Sequence, residues 1–263
     1  MKKMLCALTL LFAASAAHAA LVSKEVDYTT GDATTLKGYV VYDDNFKGKR
    51  PAVLVVHEWW GHNAYARKRA DMLAKLGYVA LAVDMYGDGK QAHHPEEAQK
   101  FSSEIANNMD LGKARFMAAL ELIKKELMTD DTRIGAIGYC FGGAVVLQMA
   151  REGVPLEGVV SFHGSLGTTH PAQLNGVKAH ILVAHGGADQ FTTPEQLNGF
   201  IAEMEGAKAN YKFIIYSGAE HSFTNPEADA FGVKFKLPLK YSKQADHESW
   251  ADMQRFFKEV FGG

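Results

Sequence analysis

Along the chain the apolar positions switch repeatedly between strand-like and helix-like spacing, and the switches mark out elements. "LKGYVVYDD" (Leu36–Asp44) alternates like a strand with one solvated face. "PAVLVVHE" (Pro51–Glu58) is a continuous apolar run, as expected of a strand covered on both faces. In "AYARKRADMLAKLG" the spacing turns helical: Ala66, Ala70, Leu73 and Leu76 form one stripe, and Gly77 suits the C-terminal cap. "YVALAVDMY" is again a strand, followed by a helical region from Pro95 to Leu127 that breaks near Asn108–Asp110. The strand "DTRIGAIGY" runs directly into the helix "FGGAVVLQMA", and "LEGVVSFHG" and "AHILVAHGGAD" are further strands. "TPEQLNGFIAEMEG" opens a helix with Thr193 as N-cap, Pro194 in the first turn and Gln196 at the third position, a capping box. "NYKFIIYSG" is the last strand and "HESWADMQRFFKEVF" the terminal helix.

This alternation predicts an α/β domain with a mainly parallel central sheet and helices on both faces. Such sheets bind ligands beyond the carboxyl ends of their strands. The residues to inspect are therefore His57-Glu58-Trp59, Asp84-Met85-Tyr86, Tyr139-Cys140-Phe141, His163-Gly164, His185 to Asp189 and Gly218 to Phe223. A thiol, several imidazoles and several carboxylates fall at those positions.

The first twenty residues, "MKKMLCALTLLFAASAAHAA", follow another logic. A basic start, an apolar stretch from Met4 to about Ala14 and an Ala17-His18-Ala19 cleavage site read as a secretory signal peptide over 1–19. The stretch is too short and wrongly flanked for a stable membrane span, and no later segment is apolar for long enough to insert. The mature chain, 20–263, is then a single domain of a periplasmic or secreted protein, expected to be monomeric. With 28 basic and 30 acidic residues the chain offers no basic tract for nucleic acid, which leaves small molecules as partners. Cleavage would also leave one cysteine, Cys140, with no internal disulfide partner in a compartment that permits disulfides. A lone thiol there is either an inert buried residue or a reactive one.

Its neighbours favour reactivity. "GYCFG" (Gly138–Gly142) matches the strand-turn-helix elbow that presents a nucleophile, with cysteine where serine is usual. The glycines lack the Cβ atoms that would collide in the turn, and the helix from Phe141 points the positive end of its dipole at the sulfur. A phosphate loop is disfavoured, because neither G-x-G-x-x-G nor a Gly-Lys-Ser/Thr ending is present. An elbow of this type takes its acid and histidine later in the chain, in that order. Asp189 in "GGADQFTTP" and His221 in "GAEHSF" follow successive strands in that order. Each alone reads equally well as a turn or loop residue.

Four separated motifs, "HEWWG", "GYCFGG", "GGADQFTTP" and "EHSF", together resemble the dienelactone hydrolase family of α/β hydrolases over nearly the whole mature chain. The resemblance implies Cys140 as nucleophile, His221 as base, Asp189 as its orienting carboxylate and Glu58 as the glutamate that contacts the resting thiol. It implies an oxyanion hole from the backbone N–H groups of Phe141 and Trp59, and neither cofactor nor metal. Dienelactone-cleaving members hold the substrate carboxylate with two arginines. The matching neighbourhoods here, "MYGDGK" and "HSFTNPEAD", contain none. A neutral or weakly charged ester, lactone or thioester substrate is expected instead of dienelactone, with Trp59, Tyr86 and Phe223 lining the pocket and Lys90 either a point charge in place of an arginine or a solvated loop residue. His57, His62, His93 and His94 lack metal-ligand spacing; His163 and His185 are candidates to support the base. A binding protein or thiol sensor on the same fold is the competing reading.

Overall fold

The computed structural model describes residues 21–31 and 33–262; the expected signal segment lies outside them. Among the described residues, eight strands form one sheet: β1 (Leu21–Thr29), β2 (Thr35–Asp43), β3 (Arg50–Val56), β4 (Val79–Val83), β5 (Thr129–Tyr139), β6 (Gly158–Phe162), β7 (His180–Gly186) and β8 (Tyr211–Tyr216). Their spatial order is β1-β2-β4-β3-β5-β6-β7-β8. The first two pairings are antiparallel and all the others parallel. Seven helices of the described residues connect and cover them: α1 (Ala64–Lys75), α2 (Pro95–Ala106), α3 (Met109–Lys124), α4 (Phe141–Arg151), α5 (Pro194–Gly206), α6 (Ala228–Phe235) and α7 (Lys243–Phe261).

The central strands read as unbroken apolar runs because both of their faces are covered. In β3, Leu54 and Val56 face the layer of α3, α4 and α5, while Val53 and Val55 face α1 and α7. That alternation divides the interior into two apolar cores, one on each side of the sheet. The Thr193–Gln196 capping box forms as the sequence predicts. The long helical region breaks where expected, with Asn108 capping α3 through Leu111 N–H.

Two local expectations change. Leu76 is not part of the α1 stripe; it is the C-cap, 39% exposed, and Gly77 takes φ +95° just after it. The terminal helix starts at Lys243, because Ser242 caps it through Ala245 N–H. Two elements carry no clear apolar period. β1 is a largely solvated edge strand paired along its length with β2, and α6 has only eight residues, anchored by Phe231 and Phe235 against Trp60.

Candidate active site

The chain leaves β3 toward β4 on one side, then returns to form β5 on the other. The crevice at that reversal lies between the loops that follow β3 and β5. Two glycines bring the loops together. A Cβ on Gly142 would sit 2.3 Å from the Val56 carbonyl oxygen and 2.6 Å from that of His57. One on Gly138 would sit 2.0 Å from the carbonyl oxygen of Gly142 itself. Only bare backbone lets the first turn of α4 rest on the end of β3. Between these glycines Cys140 adopts φ 52°, ψ −115°, a strained conformation that thrusts its side chain out of the turn.

The sulfur meets an imidazole. Cys140 Sγ lies 3.1 Å from His221 Nε2, and His221 Nδ1 lies 2.8 Å from Asp189 Oδ2. The other Asp189 oxygen accepts the Phe191 N–H at 2.9 Å, so neither oxygen is free to turn away. Burial, the largest single influence, pulls His221 down, but the Cys140 sulfur and the Asp189 carboxylate outweigh it and push the imidazole up to about 10. For Asp189, burial acts upward, while the hydrogen bond and charge of His221 take the carboxyl below its ordinary value. The half-exposed Phe191 ring leans on His221 with centroids 4.6 Å apart.

Phe141 is the first residue of α4, so its N–H has no intrahelical acceptor. Trp59, across the crevice, is fixed through both of its peptide planes. His57 Nδ1–H donates to the Glu58 carbonyl oxygen at 2.5 Å, a carbonyl that Gly61 N–H also reaches at 3.1 Å. His57 Nε2 accepts from Met85 N–H at 3.2 Å. In a trans peptide C=O and N–H point opposite ways, so holding the Glu58 oxygen fixes the direction of the Trp59 N–H. Tyr86 Oη–H holds the next plane by donating to the Trp59 carbonyl at 3.0 Å. Burial lowers the His57 imidazole's proton affinity, which keeps it in the neutral tautomer these bonds require. Replacing His57 by leucine is expected to lower kcat about tenfold with KM nearly unchanged, a fraction of what losing an oxyanion donor outright costs. Asparagine, whose amide can occupy the Nδ1 position, should recover most of that loss. Steady-state kinetics on both variants, beside their melting temperatures, separates orientation from stability.

Several expected site residues sit differently. Glu58 is buried, but in this structure its oxygens accept from Ser222 Oγ (3.1 Å) and Asn225 Nδ2 (2.6 Å), while the sulfur is turned to His221. Burial raises the Glu58 carboxyl's proton affinity and those two donors offset part of the rise. Phe223 does not line a pocket: it is fully buried, packed on His163 and Tyr216 in the core shared with α7. Tyr86 is 2% exposed and backs the crevice behind Phe141. Lys90 is half-exposed, and its amine faces Asp88 at 4.0 Å. His94 caps α2 through Glu96 N–H. His185 packs on Phe213, and no hydrogen bond joins it to Asp189 or His221. His163 does support the site: its Nδ1 lies 3.2 Å from the Cys140 N–H and its Nε2 2.7 Å from Thr224 Oγ1.

That last contact opens onto residues that periodicity did not single out. Thr224 Oγ1 also meets Tyr65 Oη at 2.6 Å, and Tyr65 accepts from Arg69 Nε at 3.2 Å. Arg69 donates further to the Thr224 carbonyl (2.6 Å) and to Asp246 Oδ1 (2.5 Å). The loop carrying His221, Ser222 and Asn225 is thereby tied to α1 and α7. One signal was available: an arginine three residues after Ala66 and one before Ala70, beside an apolar stripe.

A mainly parallel sheet with a sharp elbow after β5, facing an acid after β7 and a histidine after β8, defines an α/β hydrolase. Residues 36–261 match the dienelactone hydrolase family, and the chain belongs to that family of hydrolases. The crystal structure of a dienelactone hydrolase-like promiscuous phosphotriesterase from metagenomic libraries superposes with a TM-score of 0.85 at 33% identity, covering 92% of this chain and 99% of that one. Protein usf of Aquifex pyrophilus is 27% identical over 229 residues, 85% of this chain and 93% of its own length. A carboxymethylenebutenolidase of Pseudomonas putida is 26% identical over 193 residues, 70% of this chain and 80% of that enzyme.

Proposed function

We propose that the protein hydrolyses an ester, lactone or thioester of an uncharged carbonyl substrate through a thioester on Cys140. The observation that carries this reading is the unbroken line of contacts from Cys140 Sγ through His221 to Asp189. The sulfur adds to the substrate carbonyl carbon while its proton rests on His221 Nε2, and charge builds on the carbonyl oxygen opposite the Phe141 and Trp59 N–H groups. On collapse, the bond to the leaving group breaks and the imidazolium protonates that group. Water then gives a proton to His221 and its oxygen adds to the thioester carbon; the C–S bond breaks and the thiol regains the proton. Asp189 accepts from Nδ1–H throughout, holding the ring in the tautomer that exposes Nε2 to the sulfur. Sulfur is a good leaving group, so an amide adduct would revert, whereas esters and thioesters go forward. Residues 1–19 would direct the chain to the periplasm or outside the cell, where it would work as a monomer.

The experiment is a rapid-quench reaction with p-nitrophenyl acetate. A nitrophenolate burst approaching one per chain is expected, with an acetyl adduct located by mass spectrometry on the Cys140 peptide. An adduct elsewhere, or turnover without any adduct, would sink the reading, and no turnover on a broad panel would favour the binding or sensing alternative. A phosphotriester belongs on that panel, given the activity named for the metagenomic relative. Without an arginine clamp, a carboxylate-bearing lactone should be a poorer substrate than its neutral analogue, by about tenfold or more in kcat/KM.

A further inference from the structure

A cavity of about 390 Å³ runs beside α4, walled by Phe141, Ala144, Val145 and Met149 on one side and by Ile105 and Met109 on the other. We propose that this groove takes an uncharged, apolar acyl chain of the substrate, about six to ten carbons long, a substrate class that rests on the thioester mechanism above. Its near end is Phe141, the residue whose N–H is offered to the carbonyl oxygen. From there to Met149 is eight residues of helix, about 12 Å at 1.5 Å per residue. That exceeds an acetyl group several times over and is somewhat longer than an extended eight-carbon chain.

The lining chemistry selects against charge. Among the described residues, no carboxylate, ammonium or guanidinium borders the groove. Its deepest polar side chain, Gln148, is already engaged: Nε2 donates to the His170 carbonyl and to Glu152 Oε1, and Oε1 accepts from Thr168 Oγ1 at 2.7 Å. A ligand lying along α4, Ile105 and Met109 meets aromatic, methyl, methylene and thioether surface, with Ser165, Thr168, Thr169, His170 and Gln196 on the remaining border, and two methionines let the apolar walls adapt to chain length. Direction follows from the proton. The leaving group must lie beside His221 Nε2, which protonates it, and none of Cys140, His221 and Asp189 borders the groove, which meets the site through Phe141 alone. The leaving group therefore occupies the His221 side and the acyl remainder runs the other way, past Phe141.

The test is a series of p-nitrophenyl esters from acetate to dodecanoate, in which only the acyl chain changes, beside acetates of lengthening alcohols. A buried methylene is worth roughly fourfold, and part of that should be realised: kcat/KM should rise at least about tenfold from acetate to octanoate and level off beyond about ten carbons. The alcohol series should stay flat. Ala144→Trp fills the groove from α4, and Ala106→Trp fills it from an exposed position on the opposite rim where folding is not at stake. Each should lower octanoate turnover about tenfold or more while acetate stays within about threefold of wild type. A flat acyl profile, or variants that slow acetate and octanoate alike, would overturn the groove assignment while leaving Cys140 chemistry standing. Loss of hydrolysis on every ester would remove the mechanism, and the groove assignment with it.

Discussion

Turnover of p-nitrophenyl acetate should fall at least about 10⁴-fold in Cys140→Ala and in His221→Ala, and about 10³-fold in Asp189→Asn. The two alanine variants each remove a group without which the proposed steps have no alternative partner. Their double variant should lose little more than either alone, because the groups act as a unit. The asparagine variant tests the orientation argument more sharply. Its Oδ1 would still accept the Phe191 N–H, which presents Nδ2–H to His221 where a carboxylate oxygen stood. The ring must then offer a lone pair at Nδ1 and carry its proton on Nε2, facing the sulfur with the wrong tautomer. Hydroxide can replace the missing base, so the deficit should shrink as the pH rises from about 7 toward 9, past the ordinary thiol range. An Asp189→Asn variant within fivefold of wild type, or a deficit independent of pH, would remove Asp189 from the mechanism.

Much of this arrangement was legible in the sequence because strand ends are legible. The β3, β5 and β7 runs are covered on both faces toward their carboxyl ends, so their apolar residues are continuous there, while β8, a half-exposed edge strand, still ends a short apolar run at Tyr216; all four carboxyl termini stand out. Once the sheet is inferred, the residues after those termini must share one edge, and Cys140, Asp189 and His221 do. Gly138 and Gly142 also announced the close backbone approach that they make. What could not be read was which way each side chain turns. Phe223 follows the same strand as His221, yet at two residues' distance in an irregular loop it faces the core. Tyr86 and His57 stand near the crevice, but their value lies in hydrogen bonds to main-chain carbonyls, which leave no trace in residue type. β1 and α6 went unread for a related reason: one is an edge strand with few apolar residues, the other too short to display a period.

The largest stability effect should come from Arg69, which no motif marks. Its side chain is 3% exposed, its ion pair is with Asp246, and its guanidinium lies against the rings of Tyr65, Tyr139 and Trp250 at 5.2 to 5.4 Å. Replacing it with methionine keeps most of the side chain's bulk but takes the Arg69 donor from the Thr224 carbonyl and the countercharge from the Asp246 carboxylate, which keeps only the Tyr241 hydroxyl. Breaking a buried pair from one side costs about 3–5 kcal/mol. For a domain of this size that lowers Tm by about 10 °C. Adding Asp246→Leu removes the stranded charge, so the double variant should regain much of the stability, since paired buried charges can be exchanged for apolar groups at small net cost. Catalysis should not recover with it. The Thr224 carbonyl still lacks its anchor three residues from His221, so kcat should stay several-fold below wild type even where the melting curve is nearly restored. Parallel recovery of Tm and kcat would show that Arg69 serves the fold alone; a split between them means that α1 and α7 hold the His221 loop in register with the sulfur.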